Sequence, residues 1–360
     1  MVLLELGAEY HIFIDVILIT GLLGLGIGYY LKDKRCHKFR LVGLILFGIF
    51  WVLQTPYFFS IGDVFNAIVC ILALPFYAYL GYHEYLSYIW DEENKSLKWI
   101  TGASFFAGGL YFLIDKIPIF SGYLILGVAV QTVGLINLFG FDYGVGSINY
   151  AGNPLWYRTN YNEISVQIIG SRASLVQACT AAQSMLIFIA AIYCVQALKK
   201  RKWKAFFAIV PVIYVLNLIR NVGIIYMMDE LKWSYDVAHN TVGKGGSFIA
   251  LIVLAFIAFK LLPELLDNIW GLIELKDRQK KKEKIEEEME GEQKKEVEEE
   301  IEEEKEGEKT KEVGKEKEGE HREEIKKEEF EEEDPKKEME NEVTVKMEKT
   351  KEKEDSENKK

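Results

Sequence analysis

Seven stretches of this chain, near 10–31, 41–59, 64–85, 97–114, 173–197, 205–228 and 243–262, are apolar over roughly 20 residues each. That is the length a helix needs to cross the hydrocarbon of a bilayer. Nothing else in the sequence constrains the fold so tightly. In lipid each segment must satisfy its own backbone polar groups, so the runs are helices rather than strands. The expected fold is an all-α polytopic membrane protein with about seven to eight transmembrane helices. The eighth candidate, 118–140, is less apolar than its neighbours, with Gly122, Gly127, Gln131, Thr132, Gly134 and Asn137 inside it.

Charge divides the chain into unlike parts. Residues 1–275 carry 19 Lys+Arg against 18 Asp+Glu, whereas 276–360 carry 24 against 36. The net charge of −11 therefore belongs to the end of the chain and describes no binding surface on the body, and nothing points to nucleic acid. We divide the sequence into a transmembrane domain (1–266), a juxtamembrane segment (267–275) and a Glu/Lys-rich disordered cytoplasmic tail (276–360). Glu–Lys pairs at helical spacing can support transient helix in the tail, but no apolar seam runs through it. Glu5, Glu9 and Asp15 replace the basic region of a cleavable signal, so the first run reads as a retained anchor. The four cysteines form no disulfide framework. No cofactor or metal is expected: His83-Glu84 lacks a second histidine, and Lys244-Gly245-Gly246-Ser247 is no phosphate loop.

Orientation follows from the basic loops, which stay in the cytoplasm. These are Lys32–Arg40, Lys199–Lys204 and the opening of the tail at Lys276–Lys284. Counting from the first loop leaves Ile117 outside, and the run at 173–197 must begin outside to reach the second. A full crossing at 118–140 has no place between them, so that segment is expected in the outer interface or as a re-entrant piece. The rival is a true eighth span, which costs one violation of the rule. The polar, aromatic and Gly-rich segment 141–172 is then the largest outside loop, and loops of that length are usually functional or disordered.

Three residues stand out against the apolar background. Cys179 sits among Gln177, Thr180, Gln183 and Ser184 near the outer end of its run; Arg220 lies between Asn217 and Asn221 in the next; His239 opens the last. At 1.5 Å per residue all three fall within roughly 12 Å of the outer surface. A thiol in apolar surroundings stays protonated, and a nearby cation or base reverses this. His239 offers the base, while Arg220 offers a fixed charge for a thiolate or an acyl-transfer oxyanion. An arginine inside a span is costly and points to function. Gln183, one turn after Cys179, offers a further donor, and Asn217 and Asn221 are placed to hold the guanidinium. The competing readings are a packing cysteine, an Arg220 paired with Asp229 or Glu230 or snorkelling to headgroups, and a capping His239. Cys70 and Cys194 have no such partners and read as packing.

At these residues the chain resembles the archaeosortase–exosortase family, and within it the archaeosortase A branch. The resemblance rests on Ala178-Cys179-Thr180, on the block Pro211–Val222 containing Asn217, Arg220 and Asn221, and on Val237-Ala238-His239. It covers roughly residues 10–266. It implies a membrane cysteine transpeptidase acting on secreted surface proteins that carry a C-terminal sorting signal. That signal is a short motif (Pro-Gly-Phe in this branch), a transmembrane helix and a basic end. The new C-terminus passes to a membrane lipid. It further implies Cys179 as nucleophile, Arg220 as transition-state stabiliser and His239 as third catalytic position, at the outer face of the cell membrane. Many members of the branch carry Arg where this chain has His239, and the charged tail is foreign to the family pattern. A non-enzymatic alternative is a transporter or lipid-binding protein whose Arg220 binds an anionic solute. Internal repeats and broken midplane helices would mark a transporter, and the sequence has neither.

Overall fold

The structure, a computed structural model, describes residues 8–160, 162–280 and 282–284 together with Lys294, Val297 and Ile301. Most of the tail expected to be disordered lies outside the described residues.

Four long helices open the chain: α1 (Ala8–Tyr30), α2 (Arg35–Ser60), α3 (Val64–Trp90) and α4 (Lys95–Lys116). Their starts follow from local chemistry. Asp63 accepts from Asn66 N–H ahead of α3, and Asn94 accepts from Leu97 N–H ahead of α4, each satisfying an orphan donor of a first helical turn. Helices α1 and α2 meet at small residues: a Cβ on Gly43 would lie 2.6 Å from Leu25 N, and one on Gly28 would lie 2.5 Å from Arg40 Cγ. That closeness lets α2 reach across. Arg40, 0% exposed, donates through Nε to Gly28 O at 2.8 Å. Its Nη1 lies 2.8 Å from Glu93 Oε1 and 3.5 Å from Glu84 Oε1, and Glu84 Oε2 is 2.7 Å from His37 Nδ1. The two acids of α3 and its following loop thus share one buried guanidinium, as burial of charge requires.

Next come α5 (Pro118–Asn137), a three-stranded antiparallel sheet in the order β1 (Gly144–Asn149), β2 (Ser165–Ile169), β3 (Ser174–Val176), and the short α6 (Ala182–Cys194). Helix α7 (Lys199–Asp229) follows, then a π-helical stretch Asp236–Gly243 continuing into α8 (Lys244–Leu261), and finally α9 (Pro263–Ile273). Beyond Ile273 the chain continues through a 3-10 turn, Glu274–Asp277.

Among the described residues seven helices are long and apolar enough to cross a membrane, in keeping with the expected class. The membership of the set differs from expectation in one place. The run at 173–197 is not one helix: it holds β3, a 3-10 turn at Gln177–Cys179, and only the 13 residues of α6. Segment 118–140, in contrast, contains a regular 20-residue helix.

The contacts of α5 say where it goes. At its start Ser121 Oγ donates to Gln177 Oε1 at 3.2 Å. At its end Asn137 exchanges two hydrogen bonds with the backbone of Tyr143, whose hydroxyl is 3.4 Å from Glu230 Oε1 just past α7. Helix α5 therefore runs beside the C-terminal half of α7 rather than back alongside α1–α3. One face of the sheet packs on it: Val166, Ile168 and Leu175 join Ile125, Ala129 and Val133 in one core with Cys179 and Ile225. The connection between β1 and β2 is tied down as well. Tyr157 donates to Asp15 Oδ2 at 2.6 Å, and Arg158 Nη1 is 2.6 Å from Asp115 Oδ1. The long segment expected as a loop is thus an ordered cap over the ends of α1 and α4. A second core gathers α4, α6, α7, α8 and α9, with Trp99 Nε1 donating to Ala191 O at 3.0 Å.

Candidate active site

Cys179 ends the 3-10 turn that links β3 to α6, outside every long apolar helix. Thr180 closes the turn, its N–H and hydroxyl both donating to Gln177 O. Ala181 then takes φ 58°, a left-handed conformation that side chains with a Cβ rarely adopt. A sharp, strained strand-to-helix turn is a recurrent way to present a nucleophile. Replacing Ala181 with glycine should relieve the strain and raise stability by about 1 kcal/mol, read as a shift of the unfolding midpoint with turnover unchanged.

What fixes the turn is α7. Asn217 and Asn221, one helical turn apart, both donate through Nδ2 to the carbonyl of Cys179, at 2.7 and 2.9 Å. The sequence reading gave these carboxamides to the Arg220 guanidinium; in the structure they grip the backbone of Cys179 itself. Two donors on one carbonyl satisfy both of its lone pairs in a buried setting. Cys179 itself is 6% exposed. Burial pushes its thiol up from the ordinary value, while the Val176 N–H and the Arg220 charge pull the other way. At rest the group is a thiol with two stabilisers of the thiolate already in place.

Arg220 stands on the same helix, with Nε donating to Gly243 O at 3.2 Å across the π-helical stretch. Neither Asp229 nor Glu230 takes its charge: Asp229 receives Ser171 Oγ and Arg172, and Glu230 receives the Tyr143 hydroxyl. The arginine is thus held at one nitrogen and close enough to Cys179 to act on its thiol.

His239 lies in the π-helical stretch, half-buried, with its ring stacked on Tyr235 at 4.8 Å and 10°. Arg220 and Lys244 are the cations that bear on it. π-Helical turns inside longer helices frequently accompany functional sites. The structure thus gathers Cys179, Arg220 and His239 with Asn217 and Asn221 where β3, α7 and the start of α8 meet. Gln183 stays apart. It is exposed on the first turn of α6, and the break at Ala181 cancels the one-turn alignment expected from a continuous helix.

Two residues were missed by sequence reasoning. Tyr235 lies electrostatically beside Cys179, Arg220 and Glu163, and burial and the Cys179 charge push its hydroxyl up. Its spacing of four from His239 was the available signal. Glu163, ahead of β2, bears on Cys179, Tyr235 and Tyr57, and no local pattern marks it. Away from this site, Cys36, His37 and Glu93 place ligand atoms within 4.8 Å of one another, but Arg40 and Lys98 already neutralise that carboxylate.

A family model described as transmembrane exosortase matches residues 9–257. Archaeosortase A of Haloferax volcanii is 27% identical over 258 residues, which cover 62% of this chain and 80% of that protein. Archaeosortase A of Natronomonas pharaonis is 25% identical over 295 residues, covering 74% and 91%. No solved structure matches.

Proposed function

The chain belongs to the transmembrane exosortase family, and from that premise we propose that it is a cysteine transpeptidase of the cell membrane. It cuts secreted proteins at a C-terminal sorting signal of the Pro-Gly-Phe type and passes the new C-terminus to a membrane lipid. The active site faces outward and the tail inward. What supports this most is the seating of Cys179: a buried thiol on a strained turn, its carbonyl gripped by Asn217 and Asn221, with Arg220 on the same helix.

The chemistry assigned to these residues is acyl transfer. His239 takes the Cys179 proton, and the thiolate attacks the scissile carbonyl. The free end of the Arg220 guanidinium stabilises the resulting oxyanion. Collapse breaks the C–N bond, the departing amine takes the proton from His239, and a thioester remains on Cys179. A nucleophilic group of a lipid headgroup then attacks the thioester, giving its proton to His239, and Cys179 leaves to recover that proton. The amine product departs with the substrate's transmembrane helix.

The test compares wild type with Cys179→Ala in a strain lacking the gene, following a secreted protein with such a signal by mass spectrometry. The wild type should shorten that protein and add a lipid; Cys179→Ala should leave it full length. Normal processing by Cys179→Ala would make Cys179 a packing residue and end this proposal.

A further inference from the structure

β3 is an edge strand. The sheet order puts β2 on one side of it and no strand on the other. In an antiparallel ladder the backbone groups of successive residues point alternately toward and away from the partner strand. Ile168 N–H donates to Ala173 O at 3.1 Å, and Val166 is registered with Leu175. Ala173 and Leu175 therefore face β2, and Ser174 and Val176 face away. That leaves the N–H and C=O of Ser174 on the open edge, the C=O of Val176 facing the 3-10 turn that follows. Among the described residues neither Ser174 group has a partner in another element. Ser174 is exposed.

Unpaired ladder groups on an exposed edge are a template for another strand, and here the template ends three residues before the candidate nucleophile. We infer that the open edge of β3 holds the substrate's cleavage segment as a fourth strand, recognised through its main chain. The inference rests on the transpeptidase reading. The direction follows from depth. β3 begins next to Arg172, which is paired with Asp229 at the end of α7, and leads to Cys179 at the level of Asn217 and Asn221. Those levels differ by about 12–18 Å along α7 at 1.5 Å per residue. A secreted protein whose C-terminal helix enters the membrane runs the same way, so the added strand is parallel to β3. Ser174 then gives one hydrogen bond and receives one, and the extended segment arrives at Cys179 with its next carbonyl beside Sγ. Main-chain recognition leaves side-chain choice to the groups around the Cys179 turn, on which Glu163 and Tyr235 bear electrostatically.

The experiment uses the full chain in proteoliposomes and a semisynthetic substrate. That substrate is a fusion protein with a Pro-Gly-Phe segment, a transmembrane helix and a basic end. Backbone amides upstream of the cleavage point are replaced one at a time by esters, which removes a single N–H. Sensitivity should fall on one position: the ester that removes the N–H given to Ser174 O should lower kcat/KM by about 2- to 10-fold, the worth of one hydrogen bond, while the esters on either side stay near the all-amide substrate. On the enzyme, Ser174→Pro removes the outward N–H and leaves the ladder to β2 intact, which an edge strand tolerates. It should lower kcat/KM by a similar factor at wild-type thermal stability, while Ser174→Ala stays within about twofold. Uniform or absent ester sensitivity overturns the strand-addition proposal even if Ser174→Pro is impaired, and so does a folded Ser174→Pro with wild-type kinetics. If the all-amide substrate is not cut by wild type, or is cut equally by Cys179→Ala, the transpeptidase reading itself fails.

Discussion

Arg220→Ala is expected to lower turnover by about 10²- to 10³-fold, the usual cost of losing one oxyanion donor, and Arg220→Lys is expected not to restore it. The reason lies in how the guanidinium is held. Nε is committed to Gly243 O at 3.2 Å, and the nearby acids serve Arg172 and Tyr143 instead. Among the described residues the two terminal nitrogens have no hydrogen bond, so they are the free donors of a fork whose stem is pinned. Lysine offers one ammonium on a flexible stem and cannot keep the Gly243 contact while aiming a pair of donors. Single-turnover assays with the thioester trapped on Cys179 separate this from loss of binding: kcat should fall while KM stays near wild type. An Arg220→Lys enzyme with more than about a tenth of wild-type kcat would remove the fork from the mechanism, since a lost donor costs far more.

At the opposite end of the helices the largest effect on stability is expected. Arg40→Ala should cost about 3–5 kcal/mol, because it strands Glu84 without its cation in a fully buried position. His37 serves Glu84 Oε2, but Oε1 has no hydrogen bond even with Arg40 present, so the ion pair is that oxygen's sole compensation among the described residues. The double change Arg40→Met with Glu84→Leu removes both charges together and should recover most of the loss, since well-packed apolar pairs often replace buried ion pairs at little cost. Denaturant titrations in detergent read both differences. A single variant as stable as wild type would mean that water or lipid headgroups already reach this network.

The two ends of the molecule were unequally legible in the sequence. Long apolar runs carried the class and most boundaries, because hydrocarbon thickness leaves few other solutions, whereas the count from the basic loops kept 173–197 as a span and denied one to 118–140, the reverse of the helices found. Cys179, Arg220 and His239 announced themselves as expensive residues in apolar surroundings, and the structure places them together. The sheet did not announce itself. Ile164, Val166 and Ile168 alternate with Ser165 and Gln167 over one buried face, a period of two, but the stretch is short and set among glycines and aromatics. Leu175 to Ala197 reads as one span because composition cannot show a left-handed residue, and Ala181 is an ordinary helix former by type. The partners of Asn217 and Asn221 were out of reach for another reason. They bond to a backbone carbonyl about 40 residues earlier, and a carbonyl has no sequence signature.

The shortness of α6 has a consequence for the membrane itself. Its 13 residues rise about 20 Å, against roughly 30 Å of hydrocarbon, and Ile187 and Tyr193 on it are exposed. Lipid touching that surface meets a hydrophobic mismatch, which a bilayer relieves by thinning. If Cys179 works at the outer face as proposed, the outer leaflet beside α6 sinks and its headgroups descend toward the turn that carries the thiol. The lipid acceptor of the proposed transfer then has little distance left to travel.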